Sequence, residues 1–285
     1  MNGGIALDSK SRFHELQRVA LDVRADILQM IPPGKVGHLG GSCSITDIAA
    51  ALYFEHMRVF DDPKDPARDR LVFSKGHAVL AQYACLVELG YVDRAELARV
   101  KTLGGTLQGH PDMEYTPGIE AVTGSLGQGL SVSLGMALGL RLAGGTQRVF
   151  CVLGDGELAE GQVWEAAMAA AAFGADNLCA IVDCNRVQAT DETDKVFPIP
   201  NLRAKWEAFG WHVIEIDGHD FPQILDALQR AARQKDQPSV IIAHTIKGKG
   251  FDFAEGKAKY HNASLSEQEY AQAIEAIEQM RRELA

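Results

Sequence analysis

Asp155 stands between Gly154 and Gly156, directly after the apolar run Val149, Phe150, Cys151, Val152 and Leu153 and ahead of a helix-like run from Glu157 onward. A strand that stops at a glycine and passes into a helix places this aspartate on a turn. In α/β proteins such turns lie at the carboxyl ends of parallel strands, where ligands bind and the next helix offers free N–H groups. Two ligands compete for it. Gly154 to Ala159 satisfies the relaxed dinucleotide fingerprint, G-x-G-x-x-A, between a strand and a helix. A bare carboxylate at the second position would repel an approaching pyrophosphate unless a cation stood between them, so Asp155 argues for a metal. Mg2+ takes hard oxygen ligands and commonly bridges one or two carboxylates to phosphates. The next strand-like run, Leu178 to Asp183, is followed by Asn185 at about the length of a βαβ crossover, so two adjacent strand ends face one crevice. Asp155, the amide oxygen of Asn185 and a backbone carbonyl such as that of Val187 are the expected metal ligands, with Gly154, Gly156 and the helix N-terminus receiving a diphosphate.

The nine histidines divide by setting. His14 and His56 fall in helical patterns and His212 and His244 in strand patterns, where a satisfied structural imidazole is the expectation. His38, His77, His110 and His261 fall in loops or at helix starts, three of them directly after glycine, where backbone can approach a ligand closely. His219, in Asp-Gly-His-Asp, is open to either reading, with a residue that fixes a turn before the next helix favoured over a site residue.

The elements that must position these groups follow from periodicity. Helical patterns run over about 12–30, stopped by Pro32 and Pro33, then through Ile48, Leu52 and Met57 with Ser44 or Thr46 as cap, and over 77–89. Residues 101–127 sustain neither period and read as a long loop, functional or poorly ordered. A small-residue helix starts near Leu126, suited to close packing. It is followed by strand 149–153, helix 157–172, strand 178–183, a helix near 201–209, strand 211–216, helix 221–233 and strand 239–245. Ser264 and Glu267 have capping-box spacing at the head of a C-terminal helix, 264–285. Alternating strands and helices imply an α/β fold, a mostly parallel sheet with helices on both faces, in a single domain over 1–285.

Bulk properties narrow the function. At 285 residues and 46% hydrophobic the chain buries a large core, and its net charge of −10, without basic runs, argues against nucleic acid. No apolar run is long enough to span a bilayer, and the opening residues lack the order of a signal peptide, which points to the cytoplasm. Five scattered cysteines without a C-x-x-C pair read as free buried thiols.

Gly-Asp-Gly followed at this distance by Asp-x-Asn resembles the thiamine diphosphate motif. GHLGGS, FSKGHA, QGHPD, TGSLGQGLS, DGHD and TIKGKGF also stand in the order found in the N-terminal, diphosphate-binding half of transketolases, over about residues 12–285. The resemblance implies thiamine diphosphate with Mg2+, or Ca2+ or Mn2+ in its place. It implies that His38, His110 and His261 line the channel to the cofactor's reactive carbon, binding sugar hydroxyls and carbonyl and relaying protons, with His77 and His261 near the cofactor. Gly124, Ser125 and Leu126 match the segment whose backbone meets the aminopyrimidine, with Ser125 as a plain helix cap the alternative. Glu160, expected in the first turn of the helix, matches a glutamate that links paired active sites across a subunit interface; a carboxylate compensating the helix dipole is the alternative. Lys247 and Lys249 order a lid or are simply solvated. Asp191, where relatives keep glycine, and the Tyr-His-Asn-Ala-Ser surroundings of His261 depart from the pattern, which bears on substrate and loop geometry.

In that family a glutamate from a second, pyrimidine-binding domain activates the cofactor, and no segment of comparable length follows the helix ending near Leu284. The resemblance therefore implies a partner, the C-terminal subunit of a two-polypeptide transketolase, bound over a large apolar interface in a heterotetramer of two plus two. The expected reaction moves a two-carbon ketol unit from a ketose to an aldose, with sugar phosphates as substrates and most of their recognition on the partner. The alternatives are the alpha subunit of another thiamine enzyme such as a 2-oxo-acid dehydrogenase, a dinucleotide-dependent oxidoreductase, and a degenerate scaffold subunit that has kept the fold.

Overall fold

The computed structural model describes residues 9–285; the opening segment read for a leader lies partly outside them, in residues 1–8. In chain order the helices are α1 (Ser9–Met30), α2 (Leu39–Ala51), α3 (Val79–Glu88), α4 (Gln128–Leu142), α5 (Gly161–Ala172), α6 (Thr193–Val196), α7 (Leu202–Ala208), α8 (Phe221–Arg233) and α9 (Glu267–Leu284). Strands β1 (Arg70–Phe73), β2 (Val149–Gly154), β3 (Leu178–Cys184), β4 (His212–Asp217) and β5 (Ser239–His244) form one parallel sheet in the order β1-β2-β3-β5-β4.

The central strands are apolar on both faces because both are covered. Phe150, Val152, Ile181 and Ile241 pack with α1, α2, α3, α8 and α9, while Cys151, Leu153, Val182 and Ile242 pack with α4, α5 and α7. Each such fully buried side chain contributes about 1.5–3 kcal/mol relative to exposure. The register brings the strand ends level: Gly154 lies opposite Asp183, and Cys184 opposite His244. All five cysteines are free and buried, as expected.

Four expectations need correction. Helix α2 begins at Leu39, not after Ser44, so the Gly-Gly-Ser stretch is its first turn. Ser44 and Thr46 donate back to the carbonyls of Gly41 and Ser42 and do not cap. Helix α5 begins at Gly161 behind a 3-10 turn over Gly156–Ala159, which makes Glu160 the extended N-cap residue and not part of a first helical turn. Helix α4 is entered through left-handed Gly127, so Ser125 is not its cap. The C-terminal capping box is Ser266 with Glu269, because Leu265 is buried and draws the chain two residues further before the helix starts.

Candidate active site

At the carboxyl edge of the sheet, the turn after β2 holds Asp155 in place by two backbone donors, the N–H of Gly156 at 2.8 Å and that of Arg186 at 2.6 Å. Arg186 reaches it through a left-handed backbone, φ 63°, just after β3. On the same turn the Asn185 amide oxygen accepts from Val187 N–H at 3.1 Å, and the Val187 carbonyl accepts from the ammonium of Lys247 at 2.6 Å. A carboxylate, an amide and a carbonyl thus stand on the turns after two adjacent strands.

The carboxylates Asp155 and Asp183 share this edge and differ in what neutralises them. Asp183 is fully buried, and burial works against its ionised form. The charge of Lys75, with hydrogen bonds from Lys75, Ser44 and Thr245, outweighs that and holds the carboxyl below its usual range. Asp155 has only backbone donors; burial, followed by the nearby charge of Asp183, pushes its carboxyl up to about 6. Glu157 is buried beneath the turn and accepts from Ser74 and from the N–H groups of Gly127 and Gly154, so it fixes Gly154 and the entry to α4 together.

The four singled-out histidines come from distant parts of the chain and meet. Ring centroids lie 5.4 Å apart for His38 and His77, 5.8 Å for His38 and His110, 5.5 Å for His38 and His261, and 4.7 Å for His77 and His261. Lys247 joins them to the oxygen set, with its ammonium 3.0 Å from His261 Nδ1 as well as on Val187. Burial lowers His77 to about 2, His38 to about 3 and His261 to about 4, and Lys75 and Lys247 add to the effect; burial also lowers His110. All four are therefore neutral imidazoles near pH 7, each able to donate from one nitrogen and accept at the other.

Glycine makes this crowding feasible. A Cβ on Gly40 would fall 2.9 Å from Lys247 Cγ, and one on Gly76 would fall 2.7 Å from the Gly124 nitrogen. Gly124, at φ 139°, lies against the His110 ring, so the 124–126 segment borders the same crevice, with Ser125 exposed. Glu160 is not brought to the histidines; it is exposed beside Gly127. Lys247 is 2% exposed and not solvated, whereas Lys249 points outward to Glu255.

Lys75, Asp183 and Glu157 were not among the residues expected from sequence. Lys75 and Asp183 stand inside Ser-Lys-Gly-His and Asp-x-Asn, so the signal was adjacency to the motif glycines and asparagine.

Comparison with known proteins comes to the same place. Residues 16–280 match the family described as the thiamine diphosphate binding domain of transketolase. The chain is 43% identical over 267 residues to a 6-deoxy-6-sulfo-D-fructose transketolase subunit of Clostridium sp. (strain MSTE9), covering 93% of this chain and 96% of that protein. It is 39% identical over 265 residues to an apulose-4-phosphate transketolase subunit of Phocaeicola vulgatus, covering 91% and 94%. The solved transketolase of Campylobacter jejuni superposes with a TM-score of 0.83 at 31% identity, over 94% of this chain but 43% of that one. The chain thus spans nearly all of the two subunits and less than half of the solved enzyme. Its fold, its motif order and the match over residues 16–280 make it a member of the transketolase thiamine diphosphate-binding family.

Proposed function

We propose that this chain is the diphosphate-binding half of a two-polypeptide transketolase that moves a two-carbon ketol unit between anionic sugars, using thiamine diphosphate and Mg2+. The observation that carries the reading is the joining of the Val187 carbonyl, on the turn that also carries Asn185 and bonds Asp155, to the four-histidine cluster through Lys247. The donor set fits a metal ion. Among the described residues no group of three or more His, Cys, Asp or Glu could hold one, but a carboxylate, an amide oxygen and a carbonyl are the hard ligands that Mg2+ prefers and that Ca2+ and Mn2+ accept. Asp155 is half-buried, and no side-chain cation pairs with it directly among the described residues.

In this reading Asp155, Asn185 and the Val187 carbonyl hold the metal, Gly154, Gly156 and His77 the diphosphate, and Gly124, Ser125 and Leu126 the aminopyrimidine. The bound cofactor supplies an electron sink for breaking a carbon–carbon bond next to a carbonyl. The chain's own work is with protons and orientation. His38 and His110 bind sugar oxygens as neutral donors and acceptors. His261 accepts from Lys247 at Nδ1 and so carries its transferable proton on Nε2.

The pyrimidine-binding domain and its activating glutamate are assigned to a C-terminal partner subunit, in a cytoplasmic heterotetramer of two plus two, with residues 1–285 as one diphosphate-binding domain. Exposed apolar residues support such docking. Val132, Leu142, Met168 and Phe173 are exposed on or just after α4 and α5, and no atom lies within 4 Å of where a Cβ would stand on Gly135, Gly139 or Gly161. Glu160, the N-cap residue of α5 and exposed beside Gly127, is assigned to reach across this face. No described helix is long and apolar enough to cross a membrane. The names of the relatives favour phosphorylated or sulfonated sugars.

The test is co-expression with the partner chain and an assay of ketol transfer from xylulose 5-phosphate to ribose 5-phosphate. Activity is expected only with both chains, thiamine diphosphate and Mg2+ present. Failure of the assembled pair to bind thiamine diphosphate by calorimetry would sink the reading. Because the metal needs the ionised Asp155, protons compete with it. Apparent Mg2+ affinity should be flat above the Asp155 pKa of about 6 and fall about tenfold per pH unit below it, which a calorimetric pH series checks. A flat series from pH 7 to pH 5 would remove Asp155 from the metal site.

A further inference from the structure

A second polar cluster, formed by Arg24 of α1, Asp47 of α2 and His219 ahead of α8, lies outside the set assigned above. Arg24 grips Asp47 with two parallel bonds of 2.8 Å each, and Asp47 accepts from His219 Nδ1 at 2.7 Å. Both Arg24 and Asp47 are buried. The other ring nitrogen, Nε2, accepts the N–H of Ile246 at 2.9 Å, so the proton of this ring is fixed on Nδ1. Both nitrogens of His219 are thus spent on structure.

Those bonds converge on one segment. His219 takes the backbone N–H just before Lys247, and Arg24 Nε donates to the carbonyl of Lys249 at 3.2 Å, two residues further on. Gly248 N–H adds a bond to Gly40 at 2.9 Å. A long lysine side chain can be held at one point only if its backbone is fixed, since its rotamers are otherwise numerous. We propose that His219 is a positioning residue: backed by Asp47 and Arg24, it fixes the segment so that the Lys247 ammonium stands between Val187 and His261. The inference rests on the functional reading above for its consequence, but not for its geometry.

Two substitutions separate the two bonds of the ring. His219→Gln can put its side-chain oxygen where Nε2 accepts from Ile246. His219→Asn can put its amide where Nδ1 donates to Asp47, and leaves Ile246 N–H without an acceptor. In His219→Asn, hydrogen exchange at the Ile246 amide of the full-length chain should accelerate. The Kd for thiamine diphosphate, measured with Mg2+ on the complex of both chains, should rise roughly 10- to 100-fold. His219→Gln should stay close to the wild type in both readouts. Unchanged exchange at Ile246, or an Asn variant that binds the cofactor as tightly as the wild type, overturns the positioning role. Equal losses in both variants also overturn it, since they mark general damage and not a lost anchor. If the wild-type complex takes up no cofactor, the functional reading fails instead, and the exchange at Ile246 decides the anchoring alone.

Discussion

Asp155→Ala is expected to lower the affinity of the two-chain complex for thiamine diphosphate in the presence of Mg2+ by about 100-fold or more, and to abolish ketol transfer with it. Asp155 is the one charged group among the three oxygens assigned to the metal; the amide of Asn185 and the carbonyl of Val187 cannot offset a divalent charge. The same change should not weaken the cofactor-free fold. Burial and the neighbouring Asp183 disfavour the ionised Asp155, so near pH 7 its removal relieves an electrostatic cost while forfeiting bonds to two backbone N–H groups. The thermal midpoint without metal should therefore be unchanged or raised. The two N–H groups bond different oxygens of Asp155, so Asp155→Asn keeps an acceptor for one of them and removes the charge, and it should lose cofactor affinity nearly as fully. Calorimetry with and without Mg2+ checks both variants. Retention of wild-type affinity in Asp155→Asn would mean that the carboxylate charge holds no metal.

The sheet edge was legible because its signals are local. Gly-Asp-Gly lies at the end of one strand and Asp-x-Asn at the end of the next, and both strands are apolar enough to be recognised. The histidines were separable because three of them follow glycine, and the structure shows Gly76 making room for backbone contact beside His77. What was not legible depends on contacts between distant segments. Ser44 looks like a cap by type, yet its hydroxyl goes to Gly41 and to Asp183, on another element entirely. Nothing in the sequence around Glu157 singles it out, whereas its bonds to Ser74 and Gly127 make it the pin beneath the turn. In Ser-Leu-Ser, either serine fits the capping pattern, and only the burial of Leu265 decides for Ser266. His219 is ambiguous in the sequence, with a turn-fixing role favoured, and nothing local reveals that it holds Ile246, since that bond joins the ends of two different strands.

Unlike Asp155, Asp183 already has its cation, and removing that cation should have the larger effect on stability. Lys75→Met is expected to destabilise the chain by about 3–5 kcal/mol, because an ionised, fully buried Asp183 is left without its counter-ion. Ser44, Thr245 and Asn185 would still donate to it, but neutral donors do not replace the ammonium. Asp183→Asn added to Lys75→Met should recover most of the loss, since then no buried charge is stranded. The pH dependence has a definite sign. In the wild type the depressed Asp183 pKa contributes stability above pH 3.8 that is lost as the pH falls through the lower folded value. Without Lys75 the folded pKa rises above the unfolded one, so the variant is penalised only where Asp183 is ionised. The gap between variant and wild type should therefore narrow on acidification. Urea unfolding of both single variants and the double variant at pH 7 and pH 5 measures the coupling. A double variant whose loss equals the sum of the single losses would show no coupling, and would reassign Lys75 from counter-ion of Asp183 to a free cation of the diphosphate crevice.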